Sequence, residues 1–339
     1  MKFGVIGAGT FGSRHIQAFD RHPDAELVGV LDLNRELAET AVANFARTAV
    51  PVYTDLEQFL AIDGLKAVSV ATPDHLHAAP AIAAAKAGKH LLVEKPLATT
   101  VEDARAIVDA AREGGGILMV DFHNRVNPPF VDAYQAVRDG RVGKVKYIYA
   151  RLSNTVAIAS MIKWASSSSS LWFLASHMVD VAQWIAGERI VKVTARESRG
   201  VLERRGVATP DLFVIMAEFA SGALAVFEHA WILPEGSPTN TDLKFELLGS
   251  DGAVYIDTTH NRTVEIQTAD TIQYPPVLVL PYGPRLTGFV LEAIAQFVDA
   301  VHGRGEVLAT GEEGLQVTAV LRAILDSIKS GEPVRVEVP

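Results

Sequence analysis

Three glycines in six residues, Gly7-Ala8-Gly9-Thr10-Phe11-Gly12, follow directly on the apolar run Phe3–Ile6. This G-x-G-x-x-G turn stands between a strand pattern and a helical one, so it predicts the first corner of a β-α-β unit. Gly7 permits the tight turn, Gly9 lets a pyrophosphate approach the backbone, and Gly12 lets helix and strand pack closely. The N-terminus of the helix, with Thr10 and Phe11 in its first turn, offers free N–H groups and the positive end of the dipole to an anion. The next apolar run ends VGVLDLN, which puts Asp32 twenty residues after Gly12. An acidic residue there accepts hydrogen bonds from the adenosine ribose hydroxyls and opposes a 2′-phosphate. The expected cofactor is therefore NAD in preference to NADP, with neighbouring Arg35 leaving NADP open.

The unit is repeated. Apolar runs at Phe3–Ile6, Leu27–Leu31, Ala67–Ala71, His90–Val93 and Ile117–Val120 alternate with helical patterns near 11–21, 35–47, 75–87 and 101–113. Near-continuous strands such as AVSVA suit a parallel sheet covered on both faces. The expectation is an α/β Rossmann doubly wound parallel sheet over residues 1–122. A different pattern fills 123–339: a helix near 130–138, a strand at Val145–Leu152, then alternating segments at Val191–Ser198, Leu212–Phe219, Ala223–Ala230, Leu243–Leu248 and Ala253–Asp257. Two helices, about 288–301 and 312–329, close the chain and are expected to pack back. The second domain reads as α+β with an open, mainly antiparallel sheet.

Composition removes several function classes. A net charge of −9 argues against nucleic acid or an anionic membrane surface as partner. No run of about 18 uncharged apolar residues marks a membrane span, and with the first strand pattern starting at residue 3 no signal peptide is expected. Cysteine is absent, so disulfides, thiolate zinc sites and cysteine nucleophiles are excluded. A cytoplasmic protein is expected. A histidine–carboxylate metal site has only thin support around His177 and Asp180, and no metal is expected.

Two more stretches fall at carboxyl ends of strands, where open α/β sheets bind ligands: ATPDHLH, 71–77, and EKPL, Glu94–Leu97. Together with GAGTFG they make a specific combination, and the chain resembles, over essentially its whole length, the glucose–fructose oxidoreductase / inositol dehydrogenase / MocA family. That resemblance implies pyridine-nucleotide oxidoreduction of a sugar, polyol or related hydroxy or carbonyl compound. It implies that Lys95 of the Glu94-Lys95-Pro96 motif lies near the nicotinamide and the reacting hydroxyl, and that Thr72-Pro73 and His77 pass alongside the cofactor. Arg125 in FHNRVNP would lie within reach of substrate or cofactor. His177 and Asp180 match the catalytic histidine and final carboxylate of a D-x-G-x-H-x-x-D motif in the second domain. The resemblance also points to a cis Lys95–Pro96 peptide and to a homodimer or homotetramer formed through the second-domain sheet.

The chain departs from that motif. Phe173 stands where the first aspartate belongs, and Ser166–Ser170 and Ala175 replace glycines. Read as one helix over Leu171–Ala186, Phe173 falls one turn before His177 and cannot orient it, which leaves Asp180 to do so. Trp172 can line a sugar pocket, as can Trp164 and Trp231, and Asn154 can bond a polyol hydroxyl. His22, His90, His260 and His302 read as structural. The expected mechanism has His177 as general base, Lys95 stabilising the alkoxide, and Asp180 orienting His177 or binding a hydroxyl. The competing readings are an NAD-dependent glycoside hydrolase of the same fold and a catalytically impaired nucleotide-binding protein.

Overall fold

The computed structural model describes residues 1–259, 266–267, 272–273, 278–282 and 285–338. His260 lies outside the described residues. The chain divides into two compact units, one of Met1–Val126 with Leu278–Leu315, the other of Asn127–Val277 with Gln316–Pro339.

In the first unit the elements run β1 (Lys2–Ile6), α1 (Thr10–Arg21), β2 (Glu26–Leu31), α2 (Arg35–Phe45), β3 (Val52–Tyr53), α3 (Leu56–Leu60), β4 (Leu65–Val70), α4 (Ala78–Lys86), β5 (His90–Glu94), α5 (Val101–Gly114) and β6 (Leu118–Asp121). The sheet order is β3-β2-β1-β4-β5-β6, every pairing parallel. The order reverses between β1 and β4, which is where a doubly wound sheet opens a ligand crevice at its carboxyl edge. Helix starts follow local chemistry. Asn34, Asp55 and Thr100 cap α2, α3 and α5 by accepting N–H bonds, and Gly115 ends α5 in the left-handed region.

The second unit holds α6 (Pro128–Arg138), β7 (Val145–Asn154), α7 (Val156–Met161), α8 (Ser176–Ala186), β8 (Ile190–Ser198), β9 (Leu212–Phe219), β10 (Leu224–Ala230), β11 (Thr241–Gly249) and β12 (Ala253–Asp257). Two short hairpins follow, β13 (Ile266–Gln267) with β14 (Ile272–Gln273) and β15 (Leu280–Tyr282) with β16 (Arg285–Thr287). The chain ends in α9 (Phe289–Val301), α10 (Gly311–Ser330) and β17 (Val334–Arg335). The large sheet runs β12-β11-β7-β10-β9-β8-β17. It is antiparallel except where β7 and β10 pair in parallel, the mainly antiparallel open sheet read from the alternation.

Ile294, Phe297, Val298 and Val301 of α9 share one buried cluster with Phe3, Ile16, Phe19 and Leu92. The α9 helix is thus part of the core that supports the glycine turn.

Candidate active site

Close approach builds the glycine turn. Gly7 has φ +96°, and a side chain there would meet the Ala71 carbonyl oxygen at 2.6 Å. A Cβ on Gly12 would collide with the Gly7 carbonyl oxygen, whereas no atom of the described residues lies within 4 Å of one built on Gly9. The backbone is therefore closed on the protein side and open at Gly9. No side chain caps α1, so the N–H groups of its first turn, at Thr10, Phe11 and Gly12, remain for an anion. Asp32 sits at the mouth. Its Oδ2 accepts the Ala8 N–H (2.8 Å) and its Oδ1 the Asn34 N–H (2.8 Å). These residues fit a dinucleotide: the open turn for the pyrophosphate, the held carboxylate for the ribose.

The ends of β4 and β5 carry the other two motifs. The Lys95–Pro96 peptide is cis. Lys95 is 6% exposed. Burial pulls its ammonium below the ordinary lysine range, against Glu94, Asp74 and Asp121, which pull it up. The His77 ring is buried between backbone carbonyls, Nδ1 2.8 Å from Pro96 O and Nε2 2.9 Å from Thr72 O. It braces the Thr72-Pro73 turn against the Lys95-Pro96 turn, with desolvation holding its pKa below the usual value despite Asp74 and the two carbonyls. The Thr72 hydroxyl is buried and has no hydrogen-bond partner among the described residues.

Glu94 turns inward, where burial alone would raise its pKa. The hydrogen bond and charge of His15, joined by the charges of Lys95 and His123, overcome this and hold the carboxyl below the ordinary range. His15 on α1, Asp121 at the end of β6 and His123 complete a buried polar cluster absent from the sequence reading. The His123 ring lies between Phe11 (6.1 Å, 11°) and Phe289 (5.6 Å, 44°). Arg125 is engaged inside this unit: its Nη1 donates to Leu308 O (3.1 Å) and Glu313 Oε1 (2.7 Å), anchoring the segment before α10.

In the second unit His177 and Asp180 lie on α8, both buried. The helix is not uniform: Leu171–Ala175 is a π-helical turn and α-geometry begins at Ser176. The wider π turn changes the angular step per residue, so Phe173 is not placed one regular α-turn before His177. Its ring packs instead against Trp231 (5.7 Å, 62°) and Trp164 (6.3 Å, 56°). Trp172 is buried in the same turn. Asn154 uses its amide nitrogen to tie β7 to the start of β11, donating to Asn240 O (3.2 Å) and Thr241 Oγ1 (2.9 Å).

Residues 1–122 match the family model described as the oxidoreductase family, NAD-binding Rossmann fold, and residues 135–336 match its C-terminal alpha/beta domain. The chain belongs to this oxidoreductase family. It is 29% identical to inositol 2-dehydrogenase of Rhizobium meliloti, over 97% of each chain. It is 27% identical to 1,5-anhydro-D-fructose reductase of Ensifer adhaerens, over 99% of this chain and 98% of that one. Among solved structures, GenD2 from gentamicin A biosynthesis, in complex with NAD, superimposes with a TM-score of 0.84 at 27% identity, covering 99% of this chain and 96% of that one. The oxidoreductase therefore uses NAD, for which Asp32 supplies a physical reason. Calorimetry is expected to show NAD binding at least about tenfold more tightly than NADP, since like charges brought together at an interface cost several kcal/mol. Equal affinities would instead give weight to Arg35, whose Nη1 faces Glu39 at 3.7 Å. No helix among the described residues is long and apolar enough to cross a membrane.

Proposed function

We propose that this oxidoreductase interconverts a secondary hydroxyl and a carbonyl on a sugar, polyol or related polyhydroxy compound, with Lys95, His177 and Asp180 as its working groups. The observation that carries the reading is Lys95: a buried lysine at the carboxyl end of β5, facing the charges of three carboxylates, on the same edge of the sheet as the turn that suits a dinucleotide. Bound NAD supplies the two-electron acceptor for the carbinol C–H. The protein's part is proton handling and charge. In oxidation His177 takes the hydroxyl proton while the Lys95 ammonium stabilises the negative charge growing on that oxygen. In reduction the same two groups return the proton and polarise the carbonyl. Asp180, three residues after His177 on α8, orients the imidazole or binds a neighbouring hydroxyl. The relatives named above act on an inositol and an anhydro sugar by their names, which supports a polyhydroxylated substrate.

Steady-state assays with NAD against inositols, aldoses, sugar acids and matched glycosides test this reading. NADH is expected to accumulate with at least one free polyol or sugar. Glycoside cleavage without net NADH would replace the reading with transient oxidation and hydrolysis, and no turnover anywhere in the panel would leave only nucleotide binding.

Self-association through the outer face of the large sheet belongs to the same proposal. Val214 and Met216 on β9 and Leu224 on β10 are 48%, 45% and 41% exposed. The register Val226↔Met216 and Glu228↔Val214 sets these two strands' outward residues side by side, a patch that a second copy covers well.

A further inference from the structure

Behind Lys95 lies a chain of polar groups that the motifs did not announce. The Glu94 carboxylate is divided between two donors. Its Oε2 accepts the backbone N–H of Lys95 (3.2 Å), and its Oε1 faces His15 Nε2 (3.1 Å). His15, on the buried side of α1, is 0% exposed, and among the described residues Nε2 is hydrogen-bonded while Nδ1 has no partner. The same Nε2 lies 3.7 Å from Asp121 Oδ2, while His123 Nδ1 lies 3.7 Å from Asp121 Oδ1. Asp121 is likewise 0% exposed, and neither of its oxygens has a hydrogen-bond donor among the described residues. Parallel register brings Glu94 and Asp121 side by side at the strand ends. A buried carboxylate without donors is costly unless charge nearby compensates it. Here the imidazoles of His15 and His123 are the groups placed to do so.

We propose that His15 and Asp121 are positioning residues for Lys95: Asp121 places its charge against the Nε2 edge of the His15 ring, that nitrogen holds the Glu94 carboxylate in orientation, and Glu94 fixes the Lys95 backbone and faces its ammonium. Glu94 and Asp121 face the same ring nitrogen, so the chain runs through Nε2, with a hydrogen bond to Glu94 and a charge contact to Asp121. The charged and titratable groups facing the cluster are His15 from α1, Asp74 and His77 from the segment after β4, Glu94 from β5, Asp121 from β6 and His123 beyond it. The buried residues of α9, which packs beside β5 and β6, are all apolar. The inference rests on the proposed role of Lys95 in turnover.

The sign of the effect can be worked out. Without the His15 donor, burial favours a protonated Glu94. Lys95 then loses the negative charge that acts on it most strongly, and its ammonium gives up its proton at lower pH. The test follows the Lys95 side-chain 13C resonance against pH in NAD-bound protein carrying 13C-labelled lysine, beside the pH profile of kcat, NAD affinity and thermal midpoint. His15→Leu is expected to move both the Lys95 titration and the alkaline limb of kcat down by about one pH unit and to lower kcat roughly tenfold. NAD affinity should stay within about twofold. His15→Gln, whose amide still donates to Glu94, should restore most of the wild-type titration, and Asp121→Asn should give a smaller shift in the same direction.

An unmoved Lys95 titration in folded, NAD-binding His15→Leu would overturn the inference. If His15→Leu does not fold, an unmoved titration in Asp121→Asn does the same. Lys95→Ala belongs in the series: if it retained turnover, the role given to Lys95 would fail, whatever the resonance showed.

Discussion

Lys95→Ala is expected to lower kcat by on the order of 10³-fold, the size of effect seen when a preorganised donor is removed from a developing oxyanion. NAD affinity should change by no more than a few-fold. The two effects separate because the groups that suit the dinucleotide, the open backbone at Gly9 and the Asp32 carboxylate, are built by other residues. Lys95 is set in a pocket of negative charge that keeps an otherwise desolvated ammonium protonated. Removing it leaves Glu94 and Asp74 buried without that cation, so some thermal stability is lost as well, and a melting curve should accompany the kinetics. Lys95→Met keeps the volume and removes the charge, and should be as inactive as Lys95→Ala. A rate within tenfold of wild type in either variant would show that the ammonium does not act on the reacting oxygen.

His177→Ala should cost about 10²–10⁴ in kcat, the usual contribution of a positioned general acid–base group. Asp180→Asn should reduce kcat by roughly tenfold or more, with a smaller effect on KM. Phe173 cannot orient a ring by hydrogen bonding, and its own ring is committed to Trp164 and Trp231. Phe173→Asp is therefore not expected to improve the enzyme: it would remove an aromatic contact and set a carboxylate against the rings of Trp164 and Trp231 in its place. If His177→Ala retained full rate and an unchanged pH profile, the proton would have to be handled elsewhere.

Much of this could be read in the residues, for a physical reason that also marks the limit. The glycine turn, the strand ends at Thr72-Pro73 and Glu94-Lys95-Pro96, and Asp32 are local features: turn chemistry and period-two alternation within a few residues specify them. Two-residue β3 is too short to show any period. The π turn at Leu171–Ala175 has no signature in its sequence, since LWFLA is equally apolar in either helical form. Partners far along the chain were the hardest. His15 and Glu94 are 79 residues apart, and they meet only through the order in which the parallel strands lie. Arg125 and Glu313 are 188 residues apart. Asn154 reaches Thr241 across the β7–β11 pairing. A motif tells where a side chain stands on its own element. What that side chain holds is decided by topology, and so Arg125 and Asn154 stand at the expected positions with part of their hydrogen bonding spent on protein groups.

The ring of His77 makes two sequence motifs into one mechanical part. Its nitrogens reach the carbonyls of Thr72 and Pro96, so the turn after β4 and the turn after β5 share a single fastening at a spot where side chains from either turn would otherwise settle independently. A neutral imidazole donates to only one of those carbonyls at a time, which makes the fastening directional. For anyone recombining this enzyme with its relatives, the smallest exchangeable piece is therefore neither turn alone but the stretch from 72 to 96, taken whole with its histidine.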